Sequence, residues 1–211
     1  VGEYSIKDGK SVKITGAIST GKKIVSALLL AHYVGKPDSE IANGRVDSQE
    51  KWRAINEIKN EYYRTLFKNN ETLAQNVSYP LLAFIQQQLN SENKISLLVG
   101  HDSNIVALLS ALGVEPYELD DSLENIPIGG KLMFEVWKHK PSGKLKFKLD
   151  YVYQTTEQLI NITPLSLAIP PNQTALTIKG CKKDENGFCD YERFQQVLSE
   201  SVGNSKLSGS R

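Results

Sequence analysis

A histidine and an aspartate stand side by side at His101 and Asp102, in the stretch LLVGHDSNIVALLSALG. The run KISLLVG at 94–100 is short and apolar with β-branched residues, and reads as a fully buried strand. Residues 103–112 have helical apolar spacing and stop at Gly113. The pair therefore falls where a strand tip meets a helix start, which is where α/β sheets bind ligands. Backbone N–H groups and the helix dipole at such a start favour a phosphate. A ring N–H of His101 can hold a phosphate oxygen, and the Asp102 carboxyl can hand a proton to a leaving alcohol. Ser103, opening the helix, is a further candidate contact. A plain structural reading stands beside this one. Asp is a favoured N-cap, and His101 can be a hydrogen-bonded core histidine. The dipeptide alone leaves both readings open.

The elements around the pair follow from periodicity. SVKITG predicts a short strand. Ser19 or Thr20 is placed to cap a helix from about Gly21 to Val34, whose apolar stripe is Ile24, Val25, Leu28, Leu29 and Ala31. Gly35-Lys36-Pro37 ends it. A second helix begins at Ser48, with Trp52, Ile55, Ile58 and Tyr62 sharing one face. A third runs from about residue 71, and Pro80 within it predicts a turn or a kink. The second half alternates apolar and polar residues in GGKLMFEVWKH and KLKFKLDYVYQ around KPSGK, a hairpin signal. TALTIKG reads as another strand and DYERFQQVLSES as a last helix. An α-rich piece thus leads into an α/β sheet, with a boundary near residue 60.

Composition bounds the partners. The chain has 211 residues, 40% hydrophobic and 23% charged, which is ordinary globular usage. Lys+Arg 25 against Asp+Glu 24 gives a formal charge of +1, so neither nucleic acid nor an anionic membrane is expected as partner. No apolar run reaches the length of a membrane span. The opening VGEYSIKDGK has no basic start and no long apolar stretch, and so reads as no signal peptide. Cys181 and Cys189 flank the polar turn KKDENGF. That separation suits a disulfide hairpin and an oxidising compartment; two free thiols are the other reading. No histidine or second cysteine pair lies near them to suggest a zinc site.

Several separated motifs carry a resemblance. VGHDSNIVALLSALG, ENIPIGGKLMFEVW, YVYQTTEQL, PLSL and GC…GFCDYERF occur in that order, after ITGAISTGKKIV, LLAHYVGKP and QEKWRAINEIKN. Together they resemble the C-terminal half of bacterial periplasmic histidine acid phosphatases. The likeness is greatest to the glucose-1-phosphatases and next to the periplasmic phytases, and it extends to about Val202. It implies a histidine-phosphatase (phosphoglycerate mutase-like) α/β fold with a helical subdomain, incomplete here because the N-terminal part is missing. On that pattern residues 1–60 are the remainder of the helical subdomain. Residues 61–202 are the C-terminal part of the α/β phosphatase domain, and 203–211 a disordered or expression-derived tail.

The resemblance also implies a chemistry. The family uses a nucleophilic histidine in an Arg-His-Gly motif to form a phosphohistidine. Carried across, His101 binds phosphate and Asp102 is the proton donor. The nucleophile itself is absent, because none of the three histidines, His32, His101 and His139, follows an arginine. Ser26 matches an acidic pocket residue of the phytases; Lys23, one turn earlier, either reaches the phosphate rim or is solvated. The implied function is acid phosphatase activity on a sugar phosphate such as glucose 1-phosphate. Rival expectations are a phytase, a broad phosphomonoesterase, or a non-catalytic phosphatase-like binding module. No cofactor and no metal are implied. The expected partners are a small-molecule phosphate ester and the N-terminal half of the same protein, in the periplasm.

Overall fold

A computed structural model describes residues 3–7 and 11–206. The chain divides into two compact units that interleave along the sequence. The first contains Val1–Asn69, Glu118–Gly130 and Tyr153–Asn172; the second contains Asn70–Tyr117, Lys131–Val152 and Gln173–Arg211.

The first unit opens with an antiparallel hairpin, β1 (Tyr4–Lys7) and β2 (Ser11–Ile14), then α1 (Ala17–Tyr33) and α2 (Gln49–Tyr63). α5 (Thr156–Ile160) is a short helix closed by a capping box between Thr155 and Gln158. α1 starts before the expected caps. Gly16, at φ 91°, turns the chain straight out of β2 into the helix, so Ser19 and Thr20 lie inside it. Val25, Leu29, Tyr33, Ile41, Val46, Trp52 and Leu123 form the core of this unit. Ile24, expected in the stripe, is exposed. Gly21 is needed within α1 because a Cβ there would come 2.7 Å from Ile58 Cγ2 of α2.

The buried face of α2 also differs from the apolar reading. It is Trp52, Asn56, Lys59 and Tyr63, while Ile58 stays exposed. Two polar residues take core positions because the segment Leu123–Glu124 supplies their partners. Asn56 Nδ2 donates to the Leu123 carbonyl at 2.7 Å, Lys59 Nζ pairs with Glu124, and the Tyr33 hydroxyl donates to Glu124 Oε2 at 2.8 Å. Burial, with the Glu124 charge beside it, pushes the Tyr33 hydroxyl far above the usual tyrosine range.

The second unit carries α3 (Glu71–Leu89), α4 (Asp102–Ala111) and α6 (Tyr191–Lys206). Its four-stranded sheet is built from β3 (Lys131–Lys138), β4 (Leu145–Tyr153), β5 (Asn172–Ala175) and β6 (Cys189–Asp190). α3 runs through Pro80 without breaking. The β3–β4 hairpin forms as expected, antiparallel from Lys131↔Val152 to Lys138↔Leu145. One of its faces presents Phe134 and Phe147 to Phe194 of α6, with the Phe147 and Phe194 rings stacked 3.5 Å apart. Cys181 and Cys189 are bonded, with Cα atoms 5.6 Å apart. The strand expected over TALTIKG lies earlier, as β5, and Ile178 makes only isolated bridges to Val114 and Cys181. The expected loose tail is also corrected in part. α6 continues through Gly203 to Lys206, and the rest of that tail lies outside the described residues.

One expectation fails outright. Residues 94–100 enter neither sheet and are exposed throughout. A strand that is apolar on both sides needs neighbours along both edges and cover on both faces. The described residues supply neither.

These contacts predict two outcomes. Lys59→Met strands the buried Glu124 carboxylate and should cost about 3–5 kcal/mol in urea unfolding, whereas the double variant Lys59→Met/Glu124→Leu should cost markedly less. The other concerns Glu135, which faces Lys148 across β3–β4 and lies diagonal to buried Asp150. Burial raises the Glu135 carboxyl above its usual value and Asp150 adds to the rise, while Lys148 opposes it. The folded chain therefore holds more proton than the unfolded one between the two values. This contribution is full below the unfolded value and is lost as pH rises through the folded one. Urea midpoints measured from about pH 4 to about pH 7 should show Glu135→Gln flattening that slope.

Candidate active site

The His101–Asp102 pair lies at the start of α4, in the second unit. His101 is the N-cap, in extended geometry at φ −112° and ψ 167°, and Asp102 is the first helical residue. The cap position therefore belongs to the histidine, not to the aspartate. His101 is exposed, whereas Asp102 and Ser103 are half-buried. Asp102 Oδ1 accepts the Ser103 N–H at 2.8 Å, so the carboxylate folds onto the first turn of its own helix. α4 is held by its inner face, where Ala107, Leu108, Leu109 and Ala111 are buried, and by the Ser201 hydroxyl of α6, which donates to the Ala111 carbonyl at 3.1 Å.

Asn104 organises this start. Its Oδ1 accepts the His101 N–H at 2.8 Å, and its own N–H donates to the His101 carbonyl at 3.0 Å. This reciprocal closure fixes the backbone at the cap residue. Gly100 is part of the same arrangement, because a Cβ there would come 3.1 Å from Asn104 Oδ1. Asn104 is not among the residues that the sequence singles out for the site. Its signal there is a polar side chain three positions after the cap.

His101, Asp102 and Ser103 are consecutive and stand together at the first turn of α4. Lys23 and Ser26 lie on α1, in the first unit, where Lys23 is exposed and Ser26 half-buried. His32 packs on the Trp52 ring, centroids 4.6 Å apart, with Nδ1 3.1 Å from Asp38 Oδ1. His139 Nδ1 lies 2.7 Å from Ser142 Oγ in the β3–β4 turn. Both therefore have local partners apart from the α4 start. Among the described residues no cluster of three or more His, Cys, Asp or Glu side chains is arranged to hold a metal ion, and no helix is long and apolar enough to cross a membrane.

The sequence profile of the histidine phosphatase superfamily (branch 2) matches residues 36–157, which include the whole α4 start. The chain belongs to that superfamily. It is 39% identical over 204 residues to the glucose-1-phosphatase of Providencia rettgeri, a match covering 94% of this chain and 49% of that protein. It is 28% identical to the phytase AppA of Escherichia coli, over 90% of this chain and 46% of that one. Among solved structures, the phytase of Citrobacter braakii superposes with a TM-score of 0.83 at 28% identity, covering 97% of this chain and 54% of that one. The chain spans about half the length of the curated relatives it matches. The order of likeness, glucose-1-phosphatase before phytase, is the one the motifs implied.

The α4 start can be tested by itself. Asn104→Ala removes the acceptor for the His101 N–H and should lower stability by about 1 kcal/mol. Asn104→Asp keeps an acceptor there and should stay close to the parent in the same urea titration.

Proposed function

We propose that the whole protein is an acid phosphatase that hydrolyses a sugar phosphate monoester such as glucose 1-phosphate. The observation that carries this reading is the α4 start, where an exposed histidine and a carboxyl group occupy adjacent positions on a helix N-terminus. The likeness to glucose-1-phosphatase supports the substrate class.

In this reading His101 holds a phosphate oxygen through a ring N–H, and Ser103 is a nearby hydroxyl contact. A histidine from the N-terminal half of the protein attacks phosphorus and forms a phosphohistidine. Asp102 gives its proton to the leaving sugar oxygen as the P–O bond breaks. The ionised carboxylate then accepts a proton from the water that releases phosphate. The Ser103 N–H at Asp102 Oδ1 suits this cycle, because it steadies the carboxylate left after proton transfer. Lys23 is a candidate for the phosphate rim. The chain alone, lacking an Arg-His motif, has no nucleophile for the first step. An oxidising compartment such as the periplasm fits the Cys181–Cys189 bond. Phytate is the second substrate to test, given the superposition on the Citrobacter braakii phytase.

The leaving group separates the roles. A sugar alcohol departs poorly without a proton, whereas p-nitrophenolate departs unaided. In the whole protein, Asp102→Asn should slow single-turnover phosphorylation by a sugar phosphate by about 10²–10⁴-fold. With p-nitrophenyl phosphate the loss should be far smaller. His101→Ala should weaken both substrates alike, since both carry the same phosphate. Equal losses on the two substrates with Asp102→Asn would remove the proton-donor role.

A further inference from the structure

The β3–β4 hairpin carries charge of one sign around its turn. From Val136 to Leu149 the sequence holds Lys138, Lys140, Lys144, Lys146 and Lys148 and no aspartate or glutamate, in a chain whose formal charge is only +1. The near-balance of the whole hides a local excess. Two of these lysines are neutralised nearby: Lys146 lies 3.7 Å from Asp184, and Lys148 lies 2.8 Å from Asp150. Lys138, Lys140 and Lys144, nearest the turn, are exposed and have no ion-pair partner among the described residues.

The same end of the hairpin exposes apolar surface. Trp137 and Leu145 belong to its last two cross-strand pairs, Trp137↔Lys146 and Lys138↔Leu145, and are 53% and 44% exposed. Trp137 meets the Phe188 ring edge-on with centroids 6.1 Å apart, which leaves half of it to solvent. The turn itself is already ordered. The His139 N–H donates to the Lys144 carbonyl and the Gly143 N–H to the His139 carbonyl, both at 2.8 Å, with Gly143 at φ 68°. Docking there costs little backbone ordering. A soluble polyanion would satisfy the three lysines but leave Leu145 in water. A bilayer with anionic headgroups satisfies both kinds of group. Tryptophan favours the headgroup level, lysine stems lie along apolar surface while their ammonium groups reach phosphate, and apolar side chains bury about 5–10 Å into the boundary with the acyl chains.

We propose that the tip of the β3–β4 hairpin, from Trp137 to Leu145, is a docking surface for an anionic lipid bilayer. Lys138, Lys140 and Lys144 meet the headgroup phosphates, while Trp137 and Leu145 enter the layer beneath them. The attachment is peripheral, and no helix among the described residues is long and apolar enough to cross a membrane. The expectation of no membrane partner, drawn from net charge, holds for the chain as a whole and not for this end of it. The docking is independent of the chemistry at the α4 start.

The test sediments the 211-residue chain with vesicles of mixed phosphatidylglycerol and phosphatidylcholine, and with vesicles of phosphatidylcholine alone. Binding should occur to the mixed vesicles at about 0.1 M salt, where charges act over about 10 Å, and should be lost at about 1 M, where they act over about 3 Å. Phosphatidylcholine alone should not bind. Each exposed lysine near the surface is worth roughly fivefold in partitioning, so Lys138→Gln/Lys140→Gln/Lys144→Gln should weaken binding by about 100-fold. The thermal transition of that variant should match the parent, since the three side chains have no ion-pair partner to lose. Tryptophan emission should shift to the blue on binding. The shift should be absent in Trp137→Phe, because the other tryptophan, Trp52, is only 2% exposed and already out of water. Equal binding to the two kinds of vesicle overturns the proposal, as does no binding to either, or binding that survives the triple substitution. Binding without the Trp137 shift, or binding to dextran sulfate as tight as to the mixed vesicles, also overturns it and makes the partner a soluble polyanion.

Discussion

Every backbone N–H and C=O taken out of water must find a partner, and this constraint governs where residues 94–100 can lie. Their apolar side chains favour burial, yet burial without strand neighbours would leave a row of peptide groups unpaired. The described residues offer no such neighbours, so the segment remains in water with its side chains exposed. The first turn of α4, next along the chain, obeys the same constraint locally. It satisfies donors with its own side chains: Asp102 takes the Ser103 N–H, and Asn104 takes the His101 N–H. The candidate site is thus a self-contained helix start on an entering chain that makes no strand contacts.

The first unit meets the constraint differently, by burying charge. Glu124 is 4% exposed and is answered by Lys59 and the Tyr33 hydroxyl, with Asn56 taking the neighbouring carbonyl. Such a cluster contributes little net stability over an apolar core, because desolvation offsets most of the attraction. It does tie the Leu123–Glu124 segment to both helices: Asn56 of α2 holds the Leu123 carbonyl, and Lys59 of α2 and Tyr33 of α1 hold the Glu124 carboxylate.

The range of each interaction decides whether the sequence reveals it. The β3–β4 hairpin is legible because alternation and its turn lie within one continuous stretch. The span of α4 is legible from its spacing and Gly113, and the His101–Asp102 pair from its place before that spacing. The buried face of α2 is not legible. Trp52, Ile55, Ile58 and Tyr62 make the better apolar stripe, but Asn56 and Lys59 are buried by partners more than sixty residues away. The start of α1 is misplaced by a sequence reading because Ser19 and Thr20 are strong cap types, while the actual turn depends on the positive φ of Gly16. Residues 94–100 mislead for a related reason. Their pattern records what a strand needs on both sides, and a local pattern cannot show whether those neighbours are within the chain.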